Sequence, residues 1–222
     1  MIRILISFII MLCCVLPTAF AQTAMPDDNY PIFDDKLLIE GYAGKLSSTS
    51  KDVVLAMIND DSLVPYRKAA AIRVYRTRFA SQTVTRELSI VEKILLRQLE
   101  RASSVYVQVE LMHTLVILDR YRYFDAMVPA LIQKMDHYDM AASEMAYTSI
   151  VHINDAGSQR AREARIEFNT LRKIFFLTRK KLEGADLTDI RLKAKLDLLR
   201  WSIKVLGTDE LKNLPKEVIS LM

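Results

Sequence analysis

The sequence predicts an all-α chain: antiparallel helix pairs stacked as a short α-solenoid, closed by two longer C-terminal helices. Three observations carry this. Five Gly and six Pro among 222 residues, with charged residues (26%) spread along the chain, mark an ordered, helix-rich composition rather than a disordered or β-rich one. Apolar residues recur at helical spacing through most of the chain from Lys51 onward. The helical segments also come in pairs, with second members starting about 41 and then 34 residues apart, the period of a helical repeat array.

The chain opens with Arg3 and an apolar run over 4–16, broken only by Ser7. Pro17 and Ala19-Phe20-Ala21 follow. A charged start, a short greasy stretch and a small-x-small site form the pattern of a secretory signal peptide over 1–21. The run of 13 residues is short beside the roughly 20 that a spanning helix needs, although an uncleaved anchor is the alternative. Cys13 and Cys14 lie inside this leader. The mature chain then has no disulfide framework and no thiol chemistry, and its own core must hold it together. An exported location, periplasmic or extracellular, follows, with no transmembrane span after cleavage.

Residues 22–34 carry Pro26, Pro31 and three acids (Asp27, Asp28 and Asp34), and read as a flexible lead-in. The remainder, 35–222, reads as a single helical repeat domain. A helix starting near Asp35 carries Leu37, Leu38 and Tyr42, weakened by Gly41 and Gly44. Helices follow over 51–58 and 64–79, separated by the turn 59–62; Pro65 is tolerated in a first turn. Ala69, Ile72 and Phe79, with Tyr75 or Arg76, form the inward stripe of the second. The next pair is 85–99 (Leu88, Val91, Leu95, Leu99) and 106–119 (Leu111, Leu115, Leu118). The third is 124–135 (Phe124, Val128, Leu131, Met135) and 140–154 (Ala142, Met145, Ser149, Ile153). Gly157, Gly184 and Gly207 each close a periodic segment, as Gly does at helix C-termini. They delimit helices over 158–181 and 188–206 and a short tail helix broken by Pro215.

The segment Asp60-Asp61 … Tyr66-Arg67-Lys68-Ala69-Ala70 resembles the inter-helix turn of HEAT repeats. There an Asp at the turn precedes an apolar-Arg pair and a small Ala on the second helix. The resemblance spans about 50–155, and the later units depart from it, with Val107-Gln108 and Ala141-Ala142 at the apolar-Arg position. It implies that second helices line a concave face. Some of Arg67, Lys68, Arg73, Arg76 and Arg78 would then sit in a groove.

Charge is polarised. Residues 22–62 hold eight acids and three bases, whereas 160–181 hold eight bases and two acids. At 100° per residue, Ala164, Phe168, Leu171, Phe175, Thr178 and Leu182 form one stripe of the 158–181 helix. Arg162, Arg165, Arg172, Lys173, Arg179 and Lys180 fall on the other side within about 120°, around Phe176. Cations around an exposed aromatic suit an anionic partner, since Arg grips carboxylate or phosphate bidentately. A solvated helix face is the alternative. Export disfavours nucleic acid and leaves anionic lipid, cell-wall polymer or an acidic protein. The 188–206 helix is apolar on two sides: Leu192, Leu196, Leu199, Ile203 and Leu206, then Ala194, Leu198, Trp201 and Val205. It is either buried between two layers or docks a partner through Trp201.

Catalysis finds no motif. His113, His137 and His152 stand apart in sequence, and there is no His-Glu-x-x-His, nucleophile elbow or phosphate-cradling Gly loop. Asp60-Asp61 reads as a turn, and Glu110 with His113 as neighbours one helical turn apart. The expectation is a non-catalytic exported scaffold that needs no cofactor or metal and binds another protein. An electrostatic binder of anionic envelope material and a helical enzyme with a dispersed site are the alternatives.

Overall fold

Inward stripes at helical spacing need neighbouring helices to cover them, and the chain supplies these in sequence order. The structure, a computed structural model, describes residues 35–157, 160–182, 185 and 188–222. The expected leader, the lead-in over 22–34 and the helix-closing Gly184 lie outside the described residues. Among the described residues the fold is all-α, with no strand, and Asp34–Met222 forms one unit.

The helices are α1 (Asp35–Lys45), α2 (Lys51–Asn59), α3 (Pro65–Val74), α4 (Thr85–Arg101), α5 (Val105–Leu118), α6 (Arg120–Lys134), α7 (Met140–Asp155), α8 (Arg160–Leu182), α9 (Ile190–Leu206) and the short α10 (Lys216–Ile219). Each of the pairs α2/α3, α4/α5, α6/α7 and α8/α9 packs together. Second helices also pack on one another, α3 against α5 and α5 against α7. Helix α6 packs on α8, and α1 lies against α3 and reaches α7.

Burial follows the expected stripes closely. Ala69, Ile72, Tyr75, Val91, Leu95, Leu111, Leu115, Phe124, Val128, Leu131, Met135, Ala142, Met145 and Ile153 are all buried. So are Ala164, Phe168, Leu171, Phe175 and Leu182 of α8.

Four local features go beyond the expected pattern. Helix α6 begins at Arg120 rather than near Phe124, because the Asp119 side chain accepts from the Arg122 amide at 3.0 Å and caps the new end. Helix α3 runs on into a widened π turn over Tyr75–Phe79, where the Thr77 hydroxyl donates to the Arg73 carbonyl at 3.0 Å. On α1, Ile39 and Tyr42 face inward, while Leu37 points out. The most enclosed helix is α5, buried continuously from Val109 to Val116 on every side, as expected of a helix apolar all round.

Two glycines act differently. Gly207 ends α9 at φ 109°, a conformation that disfavours any side chain, and its amide donates to the Ile203 carbonyl at 2.8 Å. Gly157 follows α7 without a positive φ. A Cβ there would lie 2.1 Å from Arg120 Nη2, so its role is to leave room for that guanidinium.

Candidate partner-binding surfaces

The cations expected in a groove of second helices are engaged within the fold. Arg73 Nη2 lies 2.6 Å from Glu110 Oε1 on α5, and Arg76 pairs with the other oxygen of the same carboxylate. Arg73 also approaches Glu40 of α1 at 3.9 Å. The Arg67 guanidinium sits 5.1 Å from the Tyr42 ring of α1 and 5.9 Å from Tyr66. Lys68 donates to Gln98 at 2.7 Å, and burial lowers its pKa. Arg78 donates to the Thr49 carbonyl at 3.0 Å. Arg67, Arg73 and Arg76 tie the 65–79 segment to α1 and α5, Lys68 ties it to α4, and Arg78 ties it to the connection between α1 and α2; the first helix covers the part that Arg67 and Arg73 occupy.

The turn aspartates are structural too. Asp60 Oδ1 accepts from the Ser62 hydroxyl at 2.6 Å and from the Ser62 amide at 2.8 Å, and these bonds, the hydroxyl's first, hold its carboxyl below the usual range. Asp61 accepts from Gln98 at 2.8 Å and Arg101 at 2.6 Å, fastening the turn to α4.

The basic face of α8 divides into two halves. Arg162 donates to both oxygens of Asp125 at 2.7 and 2.8 Å and lies 5.0 Å from the Tyr121 ring. Arg165 pairs with Glu210 at 2.7 Å. Beyond them, Arg172 lies 5.9 Å from the Phe168 ring and Arg179 donates to the Phe176 carbonyl at 3.3 Å. Lys173, Phe176, Arg179, Lys180 and Lys181 are exposed. On α9, the second apolar stripe is buried at Leu198 and half-buried at Ala194, Trp201 and Val205. Trp201 therefore does not protrude as an anchor.

A groove of about 750 Å³ opens between α1, α7 and α9. Its apolar side chains include Leu37, Met140, Tyr147 and Ile190. Leu37 and Ile190 are 64% and 65% exposed, far more than residues of an inward stripe. Charges of both signs rim it, including the Lys36–Glu144 pair at 3.0 Å. The sequence offers one signal for this site: Leu37, Met140 and Ile190 all sit in the first turns of their helices, off the stripes that pack inward.

Two buried polar clusters escape sequence spacing. His113 Nε2 on α5 lies 3.0 Å from His152 Nδ1 on α7. Burial, then the Arg76, His152 and Arg73 charges, hold His113 well below its usual pKa, so it is neutral. Glu110 turns to the arginines instead of pairing with His113. In the second cluster, Arg120 of α6 pairs with Glu163 of α8 and donates to the Ile153 carbonyl at 2.6 Å. Beside it Glu167 accepts from Asn154 at 3.1 Å; burial is the main cause that pushes its pKa up to about 8. Neither cluster lines the groove.

The chain matches no family model, no curated protein and no solved structure.

Among the described residues, no group of three or more His, Cys, Asp or Glu is placed to hold a metal ion, and no helix is long and apolar enough to cross a membrane. What the surfaces can do is display: an apolar groove with a charged rim on one side, and a cationic helix end bearing Phe176 and Leu177.

Proposed function

We propose that this protein is an exported, non-catalytic helical scaffold that binds a partner protein, taking an apolar helical segment of it into the α1/α7/α9 groove. The observation that carries this reading is the exposure of Leu37, Met140 and Ile190 around one concavity built from three helices far apart in sequence. An amphipathic helix laid in such a groove buries apolar side chains while its polar flanks meet the charged rim. The leader pattern over 1–21 supports export. The stacking of α3 on α5 and α5 on α7, with the Asp60-Asp61 turn, supports degenerate HEAT-like repeats as the frame. Rigid display needs no cofactor.

The test is capture from envelope extract by the chain from Gln22 onward, washed at low and then high salt, with mass spectrometry of the retained protein. A defined protein should survive high salt, because apolar burial is little screened. Met140→Glu/Ile190→Glu should release it. Equal capture by that variant would refute the groove as the site.

A further inference from the structure

The C-terminal half of α8 carries a surface that the groove reading does not use. Residues 168–182 hold five cations (Arg172, Lys173, Arg179, Lys180, Lys181) and no carboxylate. Among the described residues, ion pairs engage Arg162 and Arg165 in the first half of the helix, and none engages these five. In their midst Phe176 is 43% and Leu177 79% exposed. Projection at 100° per residue places Arg179, Arg172, Phe176, Lys180, Lys173 and Leu177 in that order around about 160° of the helix.

We propose that this surface docks on an anionic lipid bilayer, with Phe176 and Leu177 entering the headgroup boundary and the cations pairing with lipid phosphates. Three features favour lipid over an acidic protein. The cations are mostly lysines, which are depleted at protein interfaces. The apolar side chains lie among the charges instead of forming a separate core patch, as in helices that lie at a membrane surface. A cluster of five Lys and Arg falls in the range that holds a protein at an anionic surface. The half of the face already neutralised by Asp125 and Glu210 takes no part. Bilayer and groove are separate sites, so the scaffold can hold its partner while resting on the membrane.

The experiment is sedimentation of the chain from Gln22, which keeps the whole of Asp34–Met222 and its core, with vesicles of phosphatidylcholine with or without phosphatidylglycerol. Binding should require phosphatidylglycerol and fall at high salt. Lys173→Ser/Lys180→Ser/Lys181→Ser should weaken it at least about 30-fold, and Phe176→Ser/Leu177→Ser about tenfold. Both sets change exposed positions, and unchanged thermal melts verify that each variant folds. Arg162→Ser/Arg165→Ser should leave binding within about twofold, since these cations are already paired. Binding to phosphatidylcholine alone, or equal binding by the triple lysine variant, overturns the proposal. So does binding that polyglutamate displaces and that ignores Phe176→Ser/Leu177→Ser, which assigns the surface to an acidic polypeptide.

Discussion

Arg73 of α3 and Glu110 of α5 meet at 2.6 Å inside the second-helix layer, where the Glu110 side chain is 2% exposed. The same carboxylate takes Arg76, so one acid balances two cations from the neighbouring pair. Removing a partner from a buried ion pair leaves uncompensated charge, which costs about 3–5 kcal/mol. Glu110→Ala should lower stability by that order in urea titration. In combination with Arg76→Ala, the loss should be less than the sum of the single losses.

Gly157 gives a second prediction. Ala there places a methyl group against Arg120 and forces the Arg120–Glu163 pair to shift. Gly157→Ala should cost about 1–3 kcal/mol, the usual range for overpacking. In an Arg120→Ala background the same change should cost much less, because the space is then free. Paired thermal melts of the four proteins read this directly.

The buried titratable groups set a pH profile. Glu167 has its folded pKa raised to about 8 by burial, so between the unfolded value near 4.5 and about 8 the folded state holds more protons. Stability therefore falls as pH rises through that window, by up to about 1.4 kcal/mol per unit. His113 is depressed well below 6.5; below that pH the unfolded state takes the proton, and stability falls as pH drops. The two oppose each other between about 4.5 and 6.5, and Glu167 acts without His113 from 6.5 to 8. Stability should decline over this upper window, and Glu167→Gln, which keeps the neutral shape, should flatten it. A decline unchanged in Glu167→Gln would contradict the assignment.

How much of this is legible in the sequence depends on the range of the physics. The inward stripe of α8, from Ala164 to Phe175, is set by helical periodicity, a local property, and burial follows it. The enclosure of α5 is harder to read, because apolar residues on every side leave no dominant stripe. The start of α6 rests on one capping bond from Asp119. The partners of Glu110, His113 and Arg120 lie on other helices, 34 to 43 residues away, where spacing carries no signal. For that reason Arg67, Arg73 and Arg76 look like groove cations in sequence and are internal fasteners in the fold. The groove at Leu37, Met140 and Ile190 arises only when α1, α7 and α9 come together.

The central claim, that the α1/α7/α9 groove holds a partner protein, is tested most directly by photo-crosslinking in intact cells. A crosslinking residue would replace Leu37, Ile190 or, as the control, Val84, which is 57% exposed before α4 and outside the groove. The account predicts one discrete protein adduct of the same mass from positions 37 and 190, and none from 84. Adducts equally strong from all three positions, or none from 37 and 190, would contradict it.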